Sequence, residues 1–272
     1  MSLSILNNIP SLAAENQINI TNAELQKTLQ QLSSGKRINS GADDAAGLAI
    51  ADGLNANVAA LTQSSQNATD GVGALQVADG ALSQVSALLN RAVTLATEAS
   101  SSTVSTGQDA AVDAEYQAIL TEIGNINTAT NFNGQAVFGS LLSVFTSDGT
   151  AGGTNTISVT PAAIDTGTLK LSGTDLTSSA KAQAALTAIT AAITTISGER
   201  GTLGATVEQL QASAGNLTTE TQNLTAASSN IMSADIGQTV SHMTQYNILQ
   251  QTGMAALSQS NQAQQAVLKL LQ

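Results

Sequence analysis

Two runs of apolar residues at every seventh position constrain this 272-residue chain more than any other feature. The first run consists of Leu54, Leu61, Ala68, Leu75, Leu82, Leu89 and Ala96. The second run consists of Ile189, Ile196, Leu203, Leu210, Leu217, Leu224 and Ile231. Because seven residues occupy nearly two turns of an α-helix, each run places apolar side chains along one seam of a long helix. The two seams have the same length, which predicts two long helices packed antiparallel.

The composition favours a rod over a compact globule. The chain contains three Phe, two Tyr and no Trp, so its burial must come from many small contacts along extended surfaces. A second column of the first helix is half polar, and it consists of Val58, Ser65, Val72, Asp79, Ser86 and Val93. This column disfavours an isolated two-stranded coiled coil and predicts a bundle of several helices. Asp79 is interpreted as a solvated edge of the seam.

The remaining segments differ in their periodicity. Helices are predicted near both chain ends, at about 45–100, at about 112–126 and at about 180–231. Ser40 or Asp43 is expected to cap the start of the helix near residue 45. Between residues 131 and 179 the pattern changes to Gly- and Thr-rich alternation. There, 156–160 and 168–172 are predicted to form short half-buried strands.

The predicted fold is mainly α, a long antiparallel helical bundle or coiled-coil rod with a small β-hairpin insertion and paired N- and C-terminal helices. Residues 1–42 and 233–272 are expected to sit together at the near end of the two long helices. Residues 43–232 are expected to form an outer rod domain, with the β-rich insertion at about 131–179. The insertion is expected at the far tip of the two long helices.

The sequence offers little chemistry for catalysis. The chain contains a single histidine, His242, so a HExxH zinc site, which needs two histidines, and a Ser-His-Asp triad accompanied by a second basic imidazole are both absent. The chain has no Cys, and Asp43 and Asp44 at a predicted helix start suit capping roles better than acid–base roles. The net charge of −11 disfavours nucleic acid and anionic membrane surfaces as partners. We therefore expect no enzyme, cofactor or metal site, and no Sec-type leader in the first ten residues.

Four segments carry a resemblance to a known family. They read LSSGKRINSGADDAAGL at 32–48, ATDGVG at 68–73, NFNG at 131–134 and ILQQTGMAALSQSNQAQQAVLKLL at 248–271. Together they resemble bacterial flagellin, and the short middle of the chain indicates a form that lacks the large outer domains of longer members. The resemblance implies a subunit that assembles with itself into the extracellular flagellar filament, the helical propeller for motility. It implies that residues 1–42 and 233–272 pair as an inner domain of terminal helices and that residues 43–232 form the outer domain. It also implies type III export, an export chaperone bound to the C-terminal helix, and contacts with filament cap and hook-junction proteins.

Three groups of residues are assigned roles on this basis. Packing in the filament core is expected of Ile18, Leu25, Leu29, Leu32, Ile248, Leu257, Val267, Leu270 and Leu271. Packing in the seam of the rod is expected of Leu61, Leu75, Leu82, Leu89, Leu203, Leu210, Leu217 and Leu224. By position in the motif, Arg91, Leu95 and Glu115 match the patch through which an animal innate immune receptor detects some flagellins. Val93 and Thr94 replace an Arg and a Glu typical of that patch, which argues against detection.

Two other functions remain open from the sequence. A hook–filament junction protein shares the terminal helices of flagellin but assembles in few copies. A surface adhesin could also use a helical rod, and exposed aromatic clusters on the β insertion would support that function. The dense agreement near the C-terminus favours the filament subunit.

Overall fold

The computed structural model describes residues 8–101, 106–149 and 155–270. The helices of this part are α1 (Ile9–Ser34), α2 (Ala45–Ala99), α3 (Thr106–Ala129), α4 (Ser179–Met232) and α5 (Ile236–Leu270). The strands are β1 (Asn131–Phe132), β2 (Gln135–Ala136), β3 (Leu142–Phe145) and β4 (Thr156–Val159). They form two antiparallel hairpins, β1–β2 and β3–β4. The predicted fold class, a helical rod with a small β insertion, is confirmed.

The chain divides into two compact units. Unit 1 comprises residues 1–56 and 223–272, and unit 2 comprises residues 57–222. This division falls inside α2 and α4, whereas the boundaries expected from the sequence, at 42/43 and 232/233, follow helix ends. The first turns of α2 and the last turns of α4 therefore belong to the same unit as the terminal helices.

In unit 1, α1 and α5 pack antiparallel along a heptad seam. The amide of Gln250 donates to the Asn22 Oδ1 atom at 2.8 Å, and further along the pair Ser260 Oγ lies 3.1 Å from Asn8 Oδ1. The α1 side of this seam consists of Ser11, Ala14, Ile18, Thr21, Leu25, Thr28 and Leu32. The α5 side consists of Thr239, Met243, Tyr246, Gln250, Gly253, Leu257, Ser260 and Gln264. The predicted pairing of the terminal helices is thus confirmed.

The loop between α1 and α2 contacts the C-terminal end of α4. Gly35 ends α1 with a left-handed φ of 69°. The backbone N–H of Arg37 then donates to the Met232 carbonyl at 2.7 Å, and the Arg37 guanidinium donates to the Ile231 carbonyl at 3.0 Å. Because α4 has no basic residue in its last turn, Arg37 supplies the positive charge that a helix C-terminus favours.

The cap of α2 differs from the expected residue. Asp44 accepts the backbone N–H of Gly47 at 2.9 Å and is the N-cap of α2. Asp43 instead accepts the backbone N–H groups of Asn39 and Ser40 and pairs with Lys27 at 2.9 Å. The expectation that Ser40 or Asp43 caps this helix was therefore wrong, because the loop uses the Asp43 carboxylate for its own backbone.

The core of unit 2 is formed by one face each of α2, α3 and α4, together with residues of the β region. The rod-seam residues Leu61, Leu75, Leu82, Leu89, Leu203, Leu210 and Leu217 are all buried. Helices α2 and α4 run antiparallel, since Ser179 at the start of α4 donates to the carbonyl of Ser100 at 2.7 Å. Tyr116 of α3 is fully buried, and its hydroxyl lies 2.6 Å from that of Thr174.

Among the described helices, α2 is the one whose length and mean hydropathy would allow it to cross a membrane. The buried core helix of a helical bundle has the same length and hydropathy, so these properties do not distinguish the two cases. The apolar seam of α2 is buried in the protein core.

The β insertion packs beside α2 rather than at the far tip of the long helices. The Ser64 hydroxyl of α2 donates to the Ser147 carbonyl at 2.7 Å. Gly71 lies so close to β3 that a Cβ atom there would be 2.7 Å from Val144 Cγ2. Residue Ser100, just beyond the C-terminal end of α2, is contacted by Ser179 instead. The expected position was therefore wrong for the β-hairpins, which pack beside α2, whereas residue 179 at the end of the insertion contacts the tip.

The segment 168–172, predicted as a strand, is a series of turns. Asp165 accepts the backbone N–H of Thr168 at 2.8 Å, and its carbonyl accepts that of Leu169. Lys170 follows with a φ of 57°. Local hydrogen bonds from an Asp side chain compete with strand pairing. The alternation arises because Leu169 and Leu171 are both buried in the core of unit 2.

Candidate assembly surface

Large apolar side chains are exposed mainly in unit 1. Among the described residues, unit 2 exposes Val77, Leu141 and Phe145. The exposed set in unit 1 is Ile9, Leu12, Ile20, Leu29, Ile50, Ile236, Val240, Ile248, Leu249 and Met254. Single exposed apolar residues are ordinary, but a concentration of them marks an interaction surface. The smaller unit therefore carries the candidate surface.

Helix α1 has a second apolar face that points away from α5. Ile20 is 57% exposed and follows the seam residue Ile18 by two positions, a rotation of about 200° around the helix. Ile9 lies eleven residues before Ile20, or about three turns, and therefore shares its face. Leu12, 60% exposed, lies between Ile9 and Ile20 along the helix and about 80° around it from Ile20. The subunit itself does not cover this face.

Helix α5 has a matching exposed residue. Ile248 is 56% exposed and lies two positions from each of the seam residues Tyr246 and Gln250. Its side chain is therefore on the side of α5 opposite to α1. Each of the two helices thus contacts its partner with one face and presents apolar side chains on the other.

The seam that joins α1 to α5 is unusually polar. The two buried residues of α1 are Thr21 and Thr28. Their hydroxyls donate to the carbonyls four residues earlier, at 2.8 and 2.7 Å. On the α5 side, Gly253 approaches so closely that a Cβ atom would lie 2.8 Å from Ile18 Cγ1. Because threonine and glycine bury little apolar area, this seam contributes less hydrophobic stabilisation than the Leu-rich seam of unit 2.

The residues expected in the filament core are divided between these two faces. Ile18, Leu25, Leu32 and Leu257 are half-buried in the seam of the subunit. Leu29 and Ile248 are exposed, at 47% and 56%. Val267 and Leu270 lie in the part of α5 whose side chains are not described, and Leu271 lies outside the described residues. Among the rod-seam residues, Leu224 is half-buried and belongs to unit 1.

The three residues matched to the immune-receptor patch do not share a surface. Arg91 Nε lies 2.7 Å from Glu115 Oε1, and both side chains are about half exposed. The hydrogen bond from Arg91 lowers the pKa of Glu115 below its ordinary value. Leu95 is 1% exposed and belongs to the core of unit 2. Its assignment to an accessible patch was therefore wrong, because this position of α2 faces the bundle.

An ion pair between α2 and α4 was missed by the sequence analysis. Arg200 donates from Nε to Asp79 Oδ1 at 2.7 Å and from Nη2 to Asp79 Oδ2 at 3.2 Å. Asp79 is therefore partly solvated, with its side chain 45% exposed, but it is also paired with α4, which the sequence analysis did not anticipate. The signal available in the sequence was an acid in the seam of one helix and an arginine in the other.

Within the described residues, no group of three or more His, Cys, Asp or Glu side chains is placed to hold a metal ion. The lone histidine, His242, is exposed on α5 and stacks on Tyr246 with the ring centroids 6.2 Å apart.

Comparisons with known proteins agree with this geometry. Residues 5–141 match the bacterial flagellin N-terminal helical region, and residues 186–271 match the C-terminal helical region. A flagellin of Halalkalibacterium halodurans is 35% identical over 98% of this chain and 99% of its own length. A flagellin of Escherichia coli is 34% identical over 70% of this chain and 34% of its own length. The crystal structure of Bacillus cereus flagellin matches with a TM-score of 0.50 and 29% identity, covering 60% of this chain and 94% of that one. This chain belongs to the bacterial flagellins, the structural subunits that assemble into the flagellar filament.

Proposed function

We propose that this subunit polymerises through the faces of α1 and α5 that point away from each other. The observation that carries the proposal is the concentration of exposed apolar side chains in unit 1. Contacts that repeat from one copy to the next without closing generate a helical fibre. The role is structural rather than enzymatic. The relatives described above are flagellins, so the comparisons give no support to a hook–filament junction protein or an adhesin.

The exposed positions allow a direct test. Ile20→Glu and Ile248→Glu each place a charge on one outward face, and Leu141→Glu is the matched control because Leu141 is 67% exposed but lies in unit 2. Purified variants at high concentration would be followed by sedimentation and electron microscopy. We expect the two unit 1 variants to lose filaments and the control to retain them. Normal filaments from a combined Ile20→Glu/Ile248→Glu variant would contradict the proposal.

The terminal helices are also proposed to order only when subunits assemble. The polar seam between α1 and α5 supports this step, since most of the stability of a protein helix comes from tertiary packing of its apolar face and this seam buries little apolar area. Neighbouring copies would add the burial that one subunit lacks, and coupled ordering would keep free subunits soluble. Hydrogen exchange of monomer and filament measures this step. Equally strong protection of Leu25–Leu32 in dilute monomer would contradict it.

The remaining partners follow from the family and belong to the same proposal. Membership of the family places the assembled subunit in the extracellular filament, and type III export is the proposed route to it. The exposed Ile248 and Met254 of α5 would need cover before assembly, which fits an export chaperone at the C-terminal helix. The filament cap and hook-junction proteins would contact the first and last copies. Removal of α5 should abolish chaperone binding in calorimetric titration, and unchanged affinity would exclude that site.

A further inference from the structure

The Asp79–Arg200 pair is the best-defined polar contact between α2 and α4. Two parallel hydrogen bonds join the guanidinium to the carboxylate, at 2.7 and 3.2 Å. The Arg200 and Asp79 side chains are 40% and 45% exposed, so the pair is partly shielded from solvent. A planar bidentate contact of this kind requires both position and orientation of the two helices.

The apolar seams alone do not fix how far α2 lies along α4. Leucine or isoleucine recurs at every seventh position of the α4 seam, and the α2 seam is similar with alanine at two of its positions. If one helix slid by seven residues, most leucines would again lie opposite leucine or isoleucine. Because hydrophobic stabilisation depends on buried area and is non-directional, such a slip would preserve much of it. Polar contacts that pair particular residues of the two helices must therefore distinguish the registers. They are the Ser179–Ser100 hydrogen bond at the end of α2 and the Asp79–Arg200 pair within the seam.

The ion pair exists in only one of these registers. With Asp79 opposite Arg200, a slip of seven residues would place Asp79 opposite Ile193 or Val207. Both of these residues are partly buried against the core of unit 2. The same slip would place Arg200 opposite Val72 or Ser86, neither of which is charged. Each displaced register therefore loses the pair and sets a carboxylate against an aliphatic side chain, which is unfavourable.

We propose that Asp79 and Arg200 together determine the register of α2 against α4. A slip of seven residues would displace one helix by about 10 Å along the other. Subunits that repeat along a helical polymer must be equivalent, so a mixture of registers would disrupt assembly. The inference concerns the fold of unit 2 and does not rest on the interface proposed for α1 and α5.

The absence of native cysteine makes a spin-label experiment straightforward. Labels on Gln84→Cys and Gln209→Cys, both exposed positions in unit 2, are offset by fourteen residues in the observed register, or about 21 Å along the helix axes. A slip would change this axial offset to about 10 or about 31 Å. Pulsed electron resonance on the monomer reads the resulting distance distribution, independently of polymerisation.

Asp79→Arg places two arginines opposite each other, and we expect it to add a second, displaced population. The combined Asp79→Arg/Arg200→Asp variant restores the pair in reverse and should return the original single distance. The matched control is Glu115→Arg, which breaks the exposed pair with Arg91 and should leave the distance unchanged. If Asp79→Arg does not fold, Asp79→Asn decides the question with the same labels. A single unshifted distance in the folded charge variant would overturn the proposal.

Discussion

For two glycines of α2, Gly71 and Gly80, replacement by alanine is expected to change the stability of unit 2 in different directions. Gly71 is buried, whereas Gly80 is exposed with nothing within 4 Å of the position where a Cβ atom would lie. Neither has a positive φ, so alanine can adopt both backbone conformations. In a helix interior alanine is more favourable than glycine by about 1 kcal/mol. Gly80→Ala should therefore stabilise unit 2 by about that amount.

At Gly71 the new methyl group meets the β insertion and α4. Its Cβ atom would lie 2.7 Å from Val144 Cγ2 and 3.3 Å from Leu210 Cδ1. Carbon atoms prefer a separation of about 3.5–4.0 Å, so Val144 must move by about 1 Å. Overpacking of this kind costs about 1–3 kcal/mol, which equals or exceeds the gain in helix propensity. We expect Gly71→Ala to leave unit 2 unchanged or to destabilise it by up to about 2 kcal/mol.

Thermal unfolding of the monomer, followed by circular dichroism, separates these outcomes. A change of 1 kcal/mol shifts the Tm of a domain of this size by about 2–4 °C. Gly80→Ala should raise the Tm, and Gly71→Ala should not. Adding Val144→Ala should reduce the cost of Gly71→Ala, because it removes Cγ2, the methyl group that would lie 2.7 Å from the new Cβ atom. An equal rise in Tm for both alanine variants would refute the packing argument.

Two further predictions follow from close contacts in the two units. Gly253→Ala in α5 should raise the critical concentration for polymerisation by up to about tenfold in a sedimentation assay, because its Cβ atom would lie 2.8 Å from Ile18 Cγ1; an unchanged value would show that the α1–α5 contact can adjust. Asp175 has its pKa lowered from 3.8 to about 2, chiefly by the hydrogen bond from Lys181. A lowered pKa in the folded state means that the stabilisation is fully present above about pH 4 and is lost as the pH falls through about 2. Lys181→Gln should move the carboxylate titration, measured by NMR, back towards 3.8, and a titration that stays near 2 would show that the Thr177 hydrogen bonds are sufficient.

The sequence determined the helices and the faces that they bury. The two runs of seven-residue spacing predicted α2 and α4. The predicted ranges, about 45–100 and about 180–231, agree with the observed ends of both helices to about one residue. The residues of both seams that lie in unit 2 are buried. The prediction was correct because helical periodicity is a local property: the spacing of apolar residues within one helix is enough to identify its apolar face. The pairing of α1 with α5 was expected from the resemblance to flagellin, since the seven-residue spacing of the second seam ends at Ile231.

Only the tertiary structure decided which partner each face has. Asp79 was interpreted as a solvated edge of the seam because its column is half polar, and its partner Arg200 lies 121 positions away in the chain. Leu95 was assigned to a surface, but α3 and α4 make that side of α2 part of the core. The β insertion packs beside Gly71 because the missing side chain leaves room for Val144. These outcomes depend on contacts between residues distant in sequence, and a local pattern of polarity carries no information about which distant segment will cover it.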